Sequence, residues 1–254
     1  PQLEELSIYT GDDADLSVLD GLANLKKVDF LDLCYILPQE LVRLREVEDL
    51  TVAVKEAECL QILGGFEKLE RLKLHMAIHE YETPVDVSAL AGITGLKRLS
   101  MDNFWGGEFV GGEKILNLQG LVEFRLDQGP GSDSEILLDP EALLGNQGIE
   151  ELGIINCRVK DLGTGELADF GFVAGFTGLK RLYLDDCGLE DIGFVGELKD
   201  LRACSLKDND IRDLSPLLAC RRLELVSVDK EEAAGVEFPG DVEVNTEVFV
   251  RIYE

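Results

Sequence analysis

The chain has 254 residues, 45% of them hydrophobic, and its 51 acidic and 24 basic side chains give a formal net charge of −27. Nucleic acid and anionic membrane surfaces are bound through clustered cations, so this balance excludes both as expected partners. The sequence also lacks any run of about 18 apolar residues, so no membrane insertion is expected.

One short pattern recurs from near the start of the chain almost to its end. An apolar residue is followed by two variable residues, a second apolar residue, one variable residue and a third apolar residue. The ten copies begin at Leu3, Leu25, Val47, Leu69, Leu96, Leu121, Ile149, Leu179, Leu201 and Leu223. Successive starts are 22, 22, 22, 27, 25, 28, 30, 22 and 22 residues apart. A period of roughly 20–29 residues with this core is the signature of stacked leucine-rich repeats.

Residues 179–200 illustrate how one repeat forms one coil. On an extended segment, Leu182 and Leu184 point to the core, while Arg181, Tyr183 and Asp185 point to solvent. Parallel strands from successive coils would form one concave sheet, with short helices and 3-10 turns on the convex side. The predicted fold class is therefore α/β: a curved, right-handed leucine-rich repeat solenoid of about ten repeats. Residues 1–254 form a single domain, because each coil buries its apolar side against its neighbours.

The two ends of the chain depart from the repeat. Residues 1–236 are assigned to repeats and residues 237–254 to a C-terminal β-hairpin cap, since DVEVNTEVFVRI alternates apolar and polar residues on both sides of Asn245. At the start, no signal peptide is visible before the repeat at Leu3. Repeat arrays usually carry a polar cap, so the first coil is either self-capped or preceded by a further segment.

The 22-residue repeats resemble the internalin and SDS22-like classes of leucine-rich repeat. The segment LKDNDIRDLSPLLACRRLELV carries this resemblance through Asn209, Ile211, Asp213, Leu214, Ser215, Pro216 and Leu217. The resemblance implies protein binding, which bacterial surface adhesins and cytoplasmic regulatory subunits of these classes share. Internalin-like ectodomains also carry a helical cap and an immunoglobulin-like module; neither is recognisable here, and the middle repeats are longer than the regular 22 residues.

The positions of the six cysteines favour buried thiols over disulfides. Cys157 and Cys187 follow strands at the slot where such repeats hold Asn or Cys, and Cys204 replaces the middle leucine of its repeat. Buried thiols behave as small hydrophobes and persist best in a reducing compartment. The expected location is therefore the cytoplasm, or the cell surface if a signal peptide precedes this segment.

Alternation along the strands predicts which side chains face outward on the concave sheet. On repeats four to six they include the cations Arg71, Lys73, His75, Arg98 and Arg125. Beside them runs an acidic row, Asp102, Asp127, Asp185 and Asp229, and Tyr183 joins the predicted partner-binding set. The alternative is that these opposite charges only pair across neighbouring strands.

The extra length of repeats four to seven gives a second candidate surface. Insertions in such arrays map to loops on one face, often the binding face. The inserted segments are HEYETPVD, NFWGGEFVGGEK, QGPGSDSEILLD and NCRVKDLGTGELADF. Tyr81, Trp105 and Phe109 are the predicted aromatic anchors, because aromatic side chains are typical of interface hot spots. The alternative is that Phe104 or Trp105 of the second segment folds back over the core.

The sequence contains no arrangement typical of an enzyme, so no catalytic residue, metal or cofactor is expected. His75 and His79 are four residues apart but straddle a strand end, and no further ligand completes a metal set. The glycine-rich WGGEFVGGEK lacks the spacing of a phosphate-binding loop.

The leading hypothesis is a non-catalytic protein-binding module that is monomeric on its own. Its sharper version is a cytoplasmic inhibitor or immunity-type protein for a basic partner, since an acidic surface can steer such a partner. The alternatives are an extracellular bacterial adhesin fragment and a regulatory or sensor array of a larger enzyme or signalling protein.

Overall fold

The computed structural model describes residues 2–12, 14–31, 34–78, 85–103, 109–111, 114–115, 118, 120–129, 135–138, 144, 146–161, 164–167 and 169–247. Eleven strands in this part of the chain form one parallel sheet, with each strand beside the next coil's strand. They are β1 (Glu5–Ile8), β2 (Lys27–Phe30), β3 (Asp49–Val54), β4 (Arg71–Met76), β6 (Arg98–Asn103), β8 (Glu123–Asp127), β10 (Glu151–Ile155), β12 (Arg181–Tyr183), β13 (Ala203–Ser205), β14 (Leu225–Ser227) and β15 (Glu243–Asn245).

The middle apolar residue of each repeat stacks on its equivalent in the next coil. Leu72 pairs with Leu99, and the file continues through Phe124, Leu152 and Leu182. All five side chains are at most 1% exposed. Because strand side chains alternate between faces, this file forms the inner wall of a continuous core. The predicted solenoid is confirmed.

The return segments are short helices, as expected. Among the described residues, α-helices span α1 (Pro38–Leu41), α2 (Glu58–Leu63) and α3 (Lys230–Ala233). 3-10 helices span Ser17–Leu19, Val42–Leu44, Ser88–Gly92, Phe170–Gly175, Gly193–Glu197 and Ser215–Ala219. Several of the 3-10 helices begin with the same contact: Asp213 Oδ1, for example, accepts the Ser215 amide at 2.8 Å. In the described part of the chain, no helix has the length and apolar character that crossing a bilayer requires.

Asn209 fastens two neighbouring coils together. Its Oδ1 accepts the amides of Cys187 at 3.1 Å and Leu189 at 3.0 Å. Its Nδ2 donates to the carbonyl oxygens of Leu184 and Leu206, each at 2.8 Å. An inward Asn at this slot thus satisfies backbone groups that a tight coil would otherwise leave unpaired.

The longer middle repeats contain a second parallel sheet. Its strands, in spatial order, are β11 (Arg158–Asp161), β9 (Glu135–Leu138), β7 (Phe109–Val110) and β5 (Val85–Asp86). Val85 and Val159 are buried and belong to the core. The inserted segments, expected to be loops, therefore contribute one strand each to this sheet.

The C-terminal region extends the concave sheet by one strand. β15 pairs in parallel with β14, Val226 facing Val244. The second strand of the predicted hairpin falls on residues 248–252, outside the described residues, so the hairpin itself stays a prediction.

Five of the six cysteines are buried, including Cys157, Cys187 and Cys204, and Cys34 is partly exposed. No disulfide links any of the six, all of which lie among the described residues.

Candidate recognition surface

Parallel pairing lines up the outward side chains in the rows predicted from alternation. The first row runs through Asp49, Arg71, Arg98, Glu123, Glu151 and Arg181, each facing the next across adjacent strands. The second row contains Lys73, Ser100, Arg125, Gly153 and Tyr183 in the same order. Four predicted cations thus lie on three neighbouring strands, β4, β6 and β8.

These two rows enclose a cleft of about 320 Å³ at the middle of the sheet. We name it the concave cleft; it is lined by Arg71, Leu72, Lys73, Arg98, Ser100, Glu123, Arg125, Glu151, Arg181 and Tyr183. Five cations and two carboxylates line it, a local excess of three positive charges on a chain of net charge −27. The cleft is therefore opposite in charge to the molecule as a whole.

Glu151 joins two of the arginines from a buried position. Its Oε1 accepts a hydrogen bond from Arg125 Nη2 at 2.6 Å, and its Oε2 accepts one from Arg181 Nε. The Glu151 side chain is 7% exposed, whereas Arg181 is half exposed. The bond to Glu151 raises the pKa of the Arg181 guanidinium above its ordinary value. Glu151 thus fixes the two cations on either side of it.

A glycine allows Arg125 to cross the strand between β8 and β12. A Cβ atom at Gly153 would lie 2.9 Å from Arg125 Cγ, so the arginine occupies the space that a side chain would take. The Arg125 guanidinium carbon then lies 4.8 Å from the centroid of the Tyr183 ring, a cation–π contact. Burial raises the pKa of the Tyr183 hydroxyl to about 12. Tyr183, predicted to point to solvent, is 3% exposed because it lies beneath this contact and its neighbours.

The cations on the other side of the cleft are held more loosely. Arg71 Nη1 lies 3.9 Å from Asp49 Oδ2, and Arg98 Nε lies 3.7 Å from Glu123 Oε2. Both distances are too long for direct hydrogen bonds. Arg71 and Arg98 are about half exposed.

Glu123 lies between the two groups of cations. Burial is the main reason that its carboxyl pKa lies above the ordinary value of 4.5, and the nearby Glu151 carboxylate raises it further. Arg125, Arg71 and Arg98 oppose this shift without cancelling it. The charged form of Glu123 is therefore disfavoured in the folded chain.

A third outward row contains His75, Asp102 and Asp127 at paired positions of β4, β6 and β8. Its side chains mainly bond to groups within the protein. His75 Nδ1 lies 2.6 Å from Asp102 Oδ2, and Asp127 Oδ1 accepts the Gly129 amide at 2.9 Å. Asp185 is 8% exposed and accepts hydrogen bonds from Ser205 Oγ at 2.7 Å and the Lys207 amide at 2.8 Å. Asp102, Asp127 and Asp185 are thus bonded within the protein, and none of the three lines the concave cleft. Their role in partner binding stays a prediction.

Of the three predicted aromatic anchors, the described residues include Phe109 alone. Tyr81 and Trp105 lie outside the described residues, as does His79. Phe109 lies in β7, where its backbone pairs with Val85 and Ile136, and its side chain is not described. Their role in binding stays a prediction.

Glu123, Glu151 and Arg181 were not among the predicted binding residues, although alternation places all three in the first row. The available signal was the run of two glutamates between arginines at equivalent positions of repeats five to eight. Such a run indicates cross-strand ion pairs, and here these pairs form the wall of the cleft. Among the described residues, no three His, Cys, Asp or Glu side chains converge as metal ligands would.

A parallel sheet with one strand per coil and a continuous leucine file defines a leucine-rich repeat solenoid. The chain is 33% identical over 86 residues to leucine-rich repeat-containing protein 56 of mouse, a match covering 34% of this chain and 15% of that protein. It superposes on the internalin InlF of Listeria monocytogenes with a TM-score of 0.61 at 18% identity, covering 85% of this chain and 58% of that chain. No protein-family model matches the sequence.

A third similarity is to the leucine-rich repeat ectodomain of the Arabidopsis receptor kinase HAESA, solved in complex with a peptide hormone ligand. The TM-score is 0.57 at 13% identity, over 88% of this chain and 37% of that chain. Structural similarity at these identities concerns the fold alone, and the chain covers less than two thirds of each of these proteins. The chain is a leucine-rich repeat protein.

Proposed function

We propose that the chain is a non-catalytic protein-binding module that recognises its partner on the concave sheet, with the concave cleft at the centre of the contact. The observation that supports this most is the cleft itself. Clustered cations on a chain of net charge −27 differ from their surroundings, and a fixed charge pattern of this kind favours specific recognition.

Other features support the same surface. The outward rows present exposed Arg71, Lys73 and Arg98 on regular strands, a rigid support of the kind that precise recognition needs. The solved HAESA ectodomain carries a peptide ligand, which is a property of that protein and an analogy for this one.

A photo-crosslinking experiment tests this proposal. A crosslinking amino acid replaces Ser100 in the cleft or, as the matched control, Leu218 on a convex 3-10 helix, where the leucine is 46% exposed. In cells we expect a protein adduct at position 100 that is weaker or missing at position 218. Arg98→Glu should remove the adduct while leaving the circular dichroism spectrum unchanged. Equal adducts at both positions would contradict a concave binding site.

The finer hypothesis is a cytoplasmic inhibitor or immunity-type protein that is a monomer on its own and binds a basic partner. The net charge of −27 supports the basic partner, and the buried thiols support the location. A basic partner would be attracted by the acidic surface that surrounds the concave cleft. Such a complex should weaken steeply between low and high salt, and an unchanged affinity would exclude the electrostatic version.

The extracellular adhesin fragment is supported by the similarity to InlF. A complete reading frame with a signal peptide and a surface anchor would favour it over the cytoplasmic proposal. An adjoining catalytic or signalling domain would favour a regulatory array.

A further inference from the structure

We propose that the concave cleft binds the carboxylates of an acidic segment of the protein partner, with Arg71, Lys73 and Arg98 as the contacting cations. The inference rests on the proposed function, because it assigns a chemical class to what the same surface recognises. The cationic cleft would then be complementary in charge to its ligand, although the chain as a whole is strongly acidic.

The first support is the pairing of Arg71 with Arg98. The two residues face each other in register on the neighbouring parallel strands β4 and β6. Like charges directly opposite each other destabilise a sheet. Asp49 and Glu123 lie at 3.9 and 3.7 Å, beyond hydrogen-bonding distance, and only partly offset this repulsion. An anion placed between the two guanidinium groups would remove it.

The second support is Lys73. It is exposed, lines the cleft and has no carboxylate of the described residues within ion-pair distance. Its neighbours in the second row are Thr51 and Ser100, which are uncharged. By contrast, Lys68 and Lys97, which precede β4 and β6 in the sequence, pair with Glu46 at 2.6 Å and Glu70 at 2.7 Å.

The arginines across the cleft have a different role. Arg125 and Arg181 both bond to Glu151, so their charge is largely compensated within the protein. They form a fixed wall, and the uncompensated charge lies on the side of Arg71, Lys73 and Arg98. An acidic segment is therefore expected to contact the cleft on the side of Arg71, Lys73 and Arg98.

The size of the cleft and the charges around it favour binding of carboxylates over binding of a phosphate chain. At about 320 Å³ the cleft has room for one or two side chains. Glu123 and Glu151 line the cleft, and Asp49 lies 3.9 Å from Arg71 at its side. A polyanion such as nucleic acid would meet these carboxylates. A guanidinium group pairs in a planar, two-point manner with a carboxylate, which suits Asp or Glu side chains on a short extended segment.

The test is an NMR titration of the isotopically labelled full chain with synthetic peptides. The probe is a short peptide of alternating Gly and Glu; the comparisons replace Glu with Gln, with Lys or with phosphoserine. We expect saturable shifts at the Arg71 and Arg98 side-chain Nε–H groups with the Glu peptide, and none with the Gln or Lys peptides. Binding of the phosphoserine peptide about tenfold tighter than the Glu peptide would assign the cleft to phosphate instead.

Two double variants distinguish an effect of the cleft residues from an effect of the net charge of the chain. Arg71→Gln with Arg98→Gln should weaken binding of the Glu peptide by about tenfold or more, because both contacting guanidinium groups are lost. Arg202→Gln with Arg222→Gln, which removes two arginines paired with Glu224 and Asp200 on other coils, changes net charge equally and should have less than about a twofold effect. Equal weakening by both pairs would overturn the inference.

The outcomes also distinguish this inference from the proposed function. If position 100 crosslinks to a protein partner while the Glu peptide does not bind, the carboxylate assignment is wrong and the concave binding site stands. If position 100 gives no adduct while the peptide binds, the cleft takes an anion that is not part of a protein partner.

Discussion

The Arg125 guanidinium donates to the Glu151 carboxylate at 2.6 Å across two neighbouring strands, and both side chains are largely withdrawn from solvent. Glu151 also accepts from Arg181, so one buried carboxylate holds two cations. Because Arg125 in turn covers Gly153 and stacks on Tyr183, the Glu151 carboxylate supports the whole wall of the concave cleft.

Replacing Glu151 should therefore lower the stability of the fold as well as disturb the wall of the concave cleft. In Glu151→Gln, Arg125 keeps its buried position but loses the charge that compensates it, and we expect a loss of about 2–4 kcal/mol in the free energy of unfolding. The matched control is Glu150→Gln, because Glu150 is 46% exposed and pairs with Lys180 at the surface. That change should cost less than about 1 kcal/mol. Urea unfolding of both variants measures the difference, and similar losses would show that burial at Glu151 is unimportant.

The Asn209 bonds lead to a second stability prediction. Asn209→Ala leaves the amides of Cys187 and Leu189 without their acceptor and two carbonyl groups without a donor. Each unsatisfied buried group costs about 1–3 kcal/mol, so a total loss of about 3 kcal/mol or more is expected. Asp210→Ala, at the exposed neighbouring position, serves as the control and should change stability by less than about 0.5 kcal/mol. Thermal unfolding of the two variants at equal concentration provides the comparison.

The repeating part of the fold was predictable because its signal is local and redundant. Leucines spaced two residues apart on a strand specify one face, and ten repeats give the same answer. The outward rows were predictable for the same reason. The pairing register of the strands agrees with the predicted rows at Arg71, Arg98 and Glu123.

The structure differs from the sequence-based prediction where a coil lacks the apolar residues of the repeat pattern or where a strand is too short to show it. By register, Asp241 and Thr246 occupy two of the three apolar positions in the coil of β15, so the eleventh strand gave no leucine pattern. β5 and β7 are two residues long, too short for alternation to be recognised. The burial of Tyr183 depends on Arg125, which lies two strands away and reaches the ring across Gly153. No local sequence pattern contains this tertiary contact.

Glu123 should make stability depend on pH in a predictable direction. Its folded pKa lies above 4.5, so the charged form is disfavoured in the folded chain at neutral pH. The folded state gains stability as the pH falls through this raised value, and the full gain is present below the unfolded value. Glu123→Gln removes the charged form. We therefore expect the variant to be more stable than the parent chain at pH 7, with the gap closing as the pH is lowered towards 4.5.

Denaturant titrations of both proteins across this range measure that gap. Comparing the two chains at each pH cancels the repulsion among the other acidic side chains, which both share. A gap that widens on acidification would mean that Arg98 stabilises the Glu123 carboxylate more than burial destabilises it.

The cysteines give a prediction that separates buried from accessible thiols. Burial raises the pKa of Cys59 and of Cys157 to about 12, and those of Cys187 and Cys204 are also well above the ordinary value. Since the thiolate is the reactive form, these groups should resist a disulfide reagent in the folded chain at pH 8. Cys34 is partly exposed, so we expect one rapidly reacting thiol and the other five after unfolding in urea. Cys34→Ser should remove the rapid phase and leave the slow one; a rapid phase that persists in this variant would mean that a coil opens readily enough to expose its core thiol.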